Sequence, residues 1–192
     1  MCSSDLFVYW PETSHTDSLM LEFFAKNAWR PDTLTPEELL PSFCRDRYQG
    51  AADPMLAAWQ AALPIIKLHD ELPLEFRNVA AFAQREVTPK RVEDLKNLCA
   101  RIETCMKEVP ALCRTLAGLP FATGDTFVDR DAIDLARTTA GRAFSYALYR
   151  YAIAQGEWMQ GAENVAAVKA AGERCTAILM ALTRLDERAM PW

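Results

Sequence analysis

Three observations predict an all-α fold: a helical bundle with long antiparallel C-terminal helices, preceded by a short strand-like leader. Apolar residues recur at steps of three and four through nearly the whole chain, the spacing that lines one face of a helix. Thr35-Pro36, Asp53-Pro54 and Thr88-Pro89 open three of these periodic stretches, and a polar cap followed by proline is a helix start signal. Only Leu6-Phe7-Val8-Tyr9-Trp10-Pro11 is strongly strand-like. It ends at a proline, and no second run offers it a pairing partner.

In chain order, Thr16 or Asp17 caps a first helix carrying Leu19, Met20, Phe23, Phe24 and Ala28, ending before Pro31. Thr35-Pro36 opens the second, with Glu37 and Glu38 at the positive dipole end; it presents Leu39, Leu40, Phe43, Arg47 and Tyr48 and stops at Gly50. Asp53-Pro54 starts a third with Met55, Leu56, Trp59, Ala62 and Leu63, which Pro64 is expected to kink. Leu74 to about Arg85 is a candidate short helix. Thr88-Pro89 then caps a stretch with Val92, Leu95, Leu98, Cys99, Ile102, Met106 and Val109, which Pro110 is expected to kink or interrupt before Leu112, Leu116 and Leu119. Residues 120–127, with Pro120, Gly124 and Asp125, read as a loop.

Two long segments close the chain. Val128 to about Gln155 would face inward with Ile133, Ala136, Ala140, Phe144, Ala147, Leu148 and Tyr151. About Trp158 to Arg188 would do so with Ala162, Val165, Val168, Gly172, Cys175, Leu179 and Leu182. Gly156 marks a tight connection, so the two should pack antiparallel.

Composition narrows the function classes. Hydrophobic residues at 51% and charged residues at 24% describe a folded chain. A net charge of −5 gives no general attraction to nucleic acid or anionic membranes, so neither is an expected partner. No apolar run approaches the ~18–20 residues of a bilayer span, and Met1-Cys2-Ser3-Ser4-Asp5 lacks the features of a signal peptide. The six cysteines include no Cys-x-x-Cys pair and stand beside only two histidines. Cys99 and Cys113 would share a helix face roughly 21 Å apart, too far for one bridge. Buried thiols are therefore expected, with no metal site and no cofactor.

Spacing alone carries little chemistry. There is no phosphate-cradling glycine loop, no Gly-x-Ser-x-Gly elbow and no His-Glu-x-x-His helix. His69 beside Asp70 and Glu71 reads as a solvated helix end, Arg45, Asp46 and Arg47 as a charged helix face, and Trp59 and Trp158 as core. Asp131, Asp134 and Arg137 read as first-turn charge bias with an intrahelical pair worth about a few tenths of a kcal/mol. The leader differs, because Trp10-Pro11-Glu12 sets a carboxylate just after a strand-like run, where barrel enzymes place catalytic groups. Taken alone, Glu12 would still read as an exposed loop acid.

The order of several segments resembles the α-N-acetylglucosaminidase family of glycoside hydrolases. That family shows Pro-Glu, an apolar helix and then Trp-Arg; here Pro11-Glu12 is followed by Leu19, Met20 and Phe23 and, at the same interval, Trp29-Arg30. Its aromatic helix ending in Arg-Tyr-Gly is similar to Phe43 through Arg47-Tyr48-Gln49-Gly50, with one inserted glutamine. Its Ala-Trp helix is matched by Ala58-Trp59-Gln60-Ala61-Ala62-Leu63, and its Asp-Leu…Arg segment by Asp131 to Arg137. Leu182-Thr183-Arg184-Leu185-Asp186 fits its last helix. The match departs beside the acid, where the family's glycine is Thr13 and its Gln-Asn is Thr16-Asp17.

The resemblance implies that the chain is the C-terminal portion of a larger enzyme: residues 1–30 closing a catalytic barrel and 31–192 forming an all-helical domain that buttresses it. The family reaction is retaining hydrolysis of terminal α-linked N-acetylglucosamine, which uses two carboxyl groups about 5–5.5 Å apart. Glu12 matches the nucleophile, with Trp10 and His15 beside it as substrate-binding residues, while the acid/base would lie upstream. The implied partners are a carbohydrate substrate in the intact enzyme and the upstream barrel; the implied compartment is secreted, periplasmic or lysosomal. The isolated chain would then be inactive. The competing expectation is a free-standing helical protein-interaction module.

Overall fold

The computed structural model describes residues 18–28, 34–69, 87–119 and 126–189, all of it helix, turn and short connection. Six α-helices follow in order: α1 (Ser18–Asn27), α2 (Pro36–Tyr48), α3 (Ala52–Ile66), α4 (Pro89–Ala117), α5 (Thr126–Met159) and α6 (Val165–Ala189). Short 3-10 turns, Gln49–Ala51 and Lys67–His69, flank α3. The fold is all-α, a helical bundle. The strand-like leader, the 30/31 boundary and the short helix expected from Leu74 lie outside the described residues.

The start signals act largely as the sequence predicts. The Thr35 hydroxyl accepts from the Glu38 N–H at 3.2 Å while the Glu38 carboxylate accepts from the Thr35 N–H at 2.7 Å, a reciprocal capping box with Pro36 in the first turn. Thr88 accepts from the Arg91 N–H at 3.2 Å, ahead of Pro89. Asp53 does not cap α3: the helix begins at Ala52, directly from the preceding 3-10 turn, and Asp53 and Pro54 fall in its first turn. The chain reverses at Gln49 and not at Gly50, with Gln49 at φ 46° and ψ −111°. Gln49 thus takes the positive φ that glycine would adopt without steric cost.

Neither proline ends its helix. α3 runs through Pro64 to Ile66, and α4 runs through Pro110 to Ala117 as one element about 43 Å long at 1.5 Å per residue. Packing explains the persistence: Leu63 and Ile65 around Pro64, and Met106 and Leu112 around Pro110, are all buried. Such burial offsets a missing backbone hydrogen bond.

Helix α5 is the axis of the bundle, packing on α3 and α4 and, most extensively, on α6. It continues through Gly156 to Met159, so the expected connection lies later, at 160–164, where Gly161 takes φ +98°. Gly156 is instead a contact point. A Cβ there would fall well inside van der Waals distance of the Val92 and Val87 methyls, so only glycine lets these elements meet. The single inward stripe expected for α5 is also too narrow. Phe144, Ala147 and Leu148 are buried, but Ile133, Ala136, Ala140 and Tyr151 are half-buried, while Val128, Ala132, Leu135, Thr139, Tyr149 and Ile153 are buried on further faces. A helix covered on more than one side has no single apolar stripe.

Outer helices show the opposite correction. In α6 the covered side runs through Val168, Gly172, Cys175, Ile178 and Leu182, leaving Val165 63% and Leu179 45% exposed. In α1, Leu19 is buried and Phe23 and Phe24 are half-buried, whereas Met20, and Ala28 in the turn that follows, face out. Of the cysteines among the described residues, Cys44 and Cys99 are buried, Cys105 and Cys175 are half-buried and Cys113 is exposed, all as free thiols.

Candidate functional site

The α2–α3 corner supplies three aromatic side chains. Phe43, Tyr48 and Trp59 are buried, and the Phe43 ring meets the other two edge-on with centroids 5.8 Å away. Burial leaves two polar tips, the Tyr48 hydroxyl and the Trp59 indole N–H, in need of partners. Trp59 Nε1 donates to the Tyr48 hydroxyl at 2.8 Å, and that hydroxyl donates to Asp131 Oδ2 at 2.7 Å.

Asp131 on α5 is 2% exposed and serves as the hub. Arg47 Nε donates to its Oδ2 at 2.5 Å and Nη2 to its Oδ1 at 3.2 Å, a fork-to-fork pair across 84 positions of sequence. Ser18, at the start of α1, donates its hydroxyl to the same carboxylate at 3.4 Å. One carboxylate therefore ties α1, α2 and α5 together, with α3 joined through Trp59. The Phe127 ring lies over Arg47, 4.4 Å from guanidinium carbon to ring centroid, which covers the cation where it approaches solvent.

Electrostatics make this cluster a clamp and not a proton-transfer device. Burial opposes the Arg47 charge, but the hydrogen bond and charge of Asp131 prevail and hold the guanidinium above its ordinary pKa. Burial first, then the Asp131 charge, pushes the Tyr48 phenol well above its ordinary 10.0. Burial, assisted by the same carboxylate, raises the neighbouring Cys44 thiol to about 12. Both groups hold their protons across the physiological range, so neither is poised as a nucleophile or base.

An open cleft of about 390 Å³ lies between α4 and α5, lined by Lys96, Cys99, Glu103, Arg150 and Glu157 among others. Lys96 and Glu157 pair across it at 2.7 Å. Burial raises the Cys99 thiol at its edge to about 11, with Arg150 pulling the other way, so that cysteine is also a neutral thiol. Among the described residues no group of three or more His, Cys, Asp or Glu could hold a metal ion, and no helix is long and apolar enough to cross a membrane.

The residues expected to carry catalysis and sugar binding, Glu12, Trp10 and His15, lie outside the described residues, as does Trp29-Arg30. Arg47-Tyr48, Trp59 and Asp131 came from separate segments in the sequence and meet in one network. Individually they read as charged face, core aromatic and first-turn acid; Asp131 is none of these, being buried and paired with another helix. The intrahelical Asp134–Arg137 pair does form, at 3.7 Å. The sequence offered no sign of the Ser18 contact. Comparison with family models, with curated proteins and with solved structures gave no match for this chain.

Proposed function

We propose that the chain is the C-terminal helical portion of a retaining glycoside hydrolase resembling the α-N-acetylglucosaminidases, acting on terminal α-linked N-acetylglucosamine. One observation supports this reading above the others. Three of the segments that carry the resemblance, Arg47-Tyr48, Trp59 and Asp131, form a single buried network that also takes hold of Ser18, six residues after Glu12. Residues that share a structural task are expected to occur together, whereas chance matches have no reason to meet.

In this reading the clamp holds the helix that follows the catalytic segment, and the chemistry belongs to Glu12. Its carboxylate attacks the anomeric carbon, an acid/base carboxyl of the upstream barrel protonates the departing oxygen, and water then releases the sugar. Trp10 and His15 flank the acid as substrate contacts. In the intact enzyme, Glu12→Ala should lower hydrolysis on the order of a thousandfold or more, with azide restoring turnover and yielding a glycosyl azide. Near-normal hydrolysis by that variant would reject the nucleophile assignment. The isolated chain should not cleave aryl α-N-acetylglucosaminides, because one carboxylate cannot serve both halves of a double displacement. Inhibitor-sensitive turnover by residues 1–192 would overturn its reading as a portion of an enzyme.

A free-standing interaction module is the second reading. The apolar side chains that α6 turns to solvent favour it, since such a face calls for a cover.

A further inference from the structure

Helix α6 rests mainly on α5 and turns the rest of its circumference outward. On that outward side Ala166, Ala170, Glu173, Ala177, Met180 and Arg184 are all exposed and follow one another at alternating steps of four and three. That alternation keeps a seam facing one partner helix along the whole element. Along one edge of that face, where α6 meets α5, the half-buried Tyr151, Val168 and Gly172 line, with the exposed Ala177 and Met180, a shallow trough of about 670 Å³. Gly172 lies against the Tyr151 ring, with no side chain to fill the trough.

The charges along the seam, of which Glu173 also lies 3.9 Å from Lys169 on its own helix, select what covers it. In an antiparallel pairing of two α6 helices that sets Ala177 opposite Met180, Glu173 falls opposite Arg184 of the second copy, and two-fold symmetry makes the same pair again. With Ala170, Ala177 and Arg184 taken as a positions and Ala166, Glu173 and Met180 as d positions, each of these layers matches a with d. A parallel pairing would set Glu173 on Glu173 and Arg184 on Arg184, two like-charge contacts. Ala177 and Ala170 allow close approach of the backbones, Ala170 facing Glu187 of the second copy, while the charge pairs set direction and register. We propose that a second copy of this chain covers the face, giving a two-fold dimer through antiparallel α6 helices with Glu173 paired to Arg184 across the interface. This stands apart from the hydrolase reading, since it uses only α5 and α6.

Sedimentation of the full chain over a micromolar to submillimolar range tests it. The expected species has twice the 21.6 kDa chain mass. Glu173→Arg and Arg184→Glu should each weaken the dimer by about tenfold or more, and the double reversal should restore it. Helical circular dichroism should be unchanged in all three variants, because both positions are exposed. A chain monomeric throughout the range overturns the proposal and leaves the face to another protein or to the barrel. A dimer indifferent to either reversal, or not restored by the double, overturns it equally.

Discussion

At Asp131 desolvation decides what a substitution does. The carboxylate has left water and is held by Arg47, Tyr48 and Ser18, so removing its charge leaves the Arg47 guanidinium without its counterion. Asp131→Asn preserves shape and should cost about 3–5 kcal/mol in urea unfolding. Replacing both ends, Arg47→Met with Asp131→Leu, should cost less than the sum of the single changes, since no charge is then stranded. Strict additivity would show that the pair is not coupled. Gln49 offers a gain of the opposite kind. Its φ of 46° is unfavourable for any side chain, so Gln49→Gly should raise stability by about 1 kcal/mol without altering helix content.

Among the elements, α5 shows how contact from several sides governs tolerance. Alanine is a better helix former than glycine by about 1 kcal/mol, and an isolated-helix argument would favour Gly156→Ala. The added methyl would instead run into Val92 and Val87, whose branched side chains have little room to turn. The expected outcome is a net loss of about 1–3 kcal/mol, with Val92→Ala in the same background recovering part of it. A stabilised Gly156→Ala would mean that α4 and α5 separate more readily than their burial suggests. The same packing keeps α4 continuous through Pro110, where local propensity alone favours a break.

For the whole molecule, buried thiols begin the alkaline loss of stability, and the buried Tyr48 phenol adds to it above pH 10. Cys44 and Cys99 are raised from the ordinary 9.0 to about 12 and about 11, burial being the main cause in each. Above pH 9 the unfolded chain releases these protons while the folded chain retains them, so stability falls as pH rises. The contribution is intact below pH 9 and is lost toward pH 11 for Cys99 and pH 12 for Cys44, with a slope of about 1.4 kcal/mol per pH unit for each thiol. Thermal unfolding should therefore show a falling Tm above pH 9. Cys99→Ala should flatten that fall; an unchanged slope would mean that the thiol reaches water in the folded state.

The amino-acid sequence by itself determined the helical class, the Thr35 and Thr88 starts, the faces of α2, α3 and α4, and the return of α6 along α5. These features depend on local rules, since a cap bonds within its own turn and an amphipathic stripe needs only one neighbour. The outcome at Pro64 and Pro110, the several buried faces of α5 and the role of Gly156 were decided by tertiary packing, because each depends on atoms distant in sequence. Asp131 marks the division most clearly. Its position early in a helix is local and legible, and it reads there as a solvated first-turn acid. That it is buried and binds Arg47, 84 positions away, follows only when α2 is laid against α5. A carboxylate carries no mark in sequence of whether its counterion is water or a guanidinium.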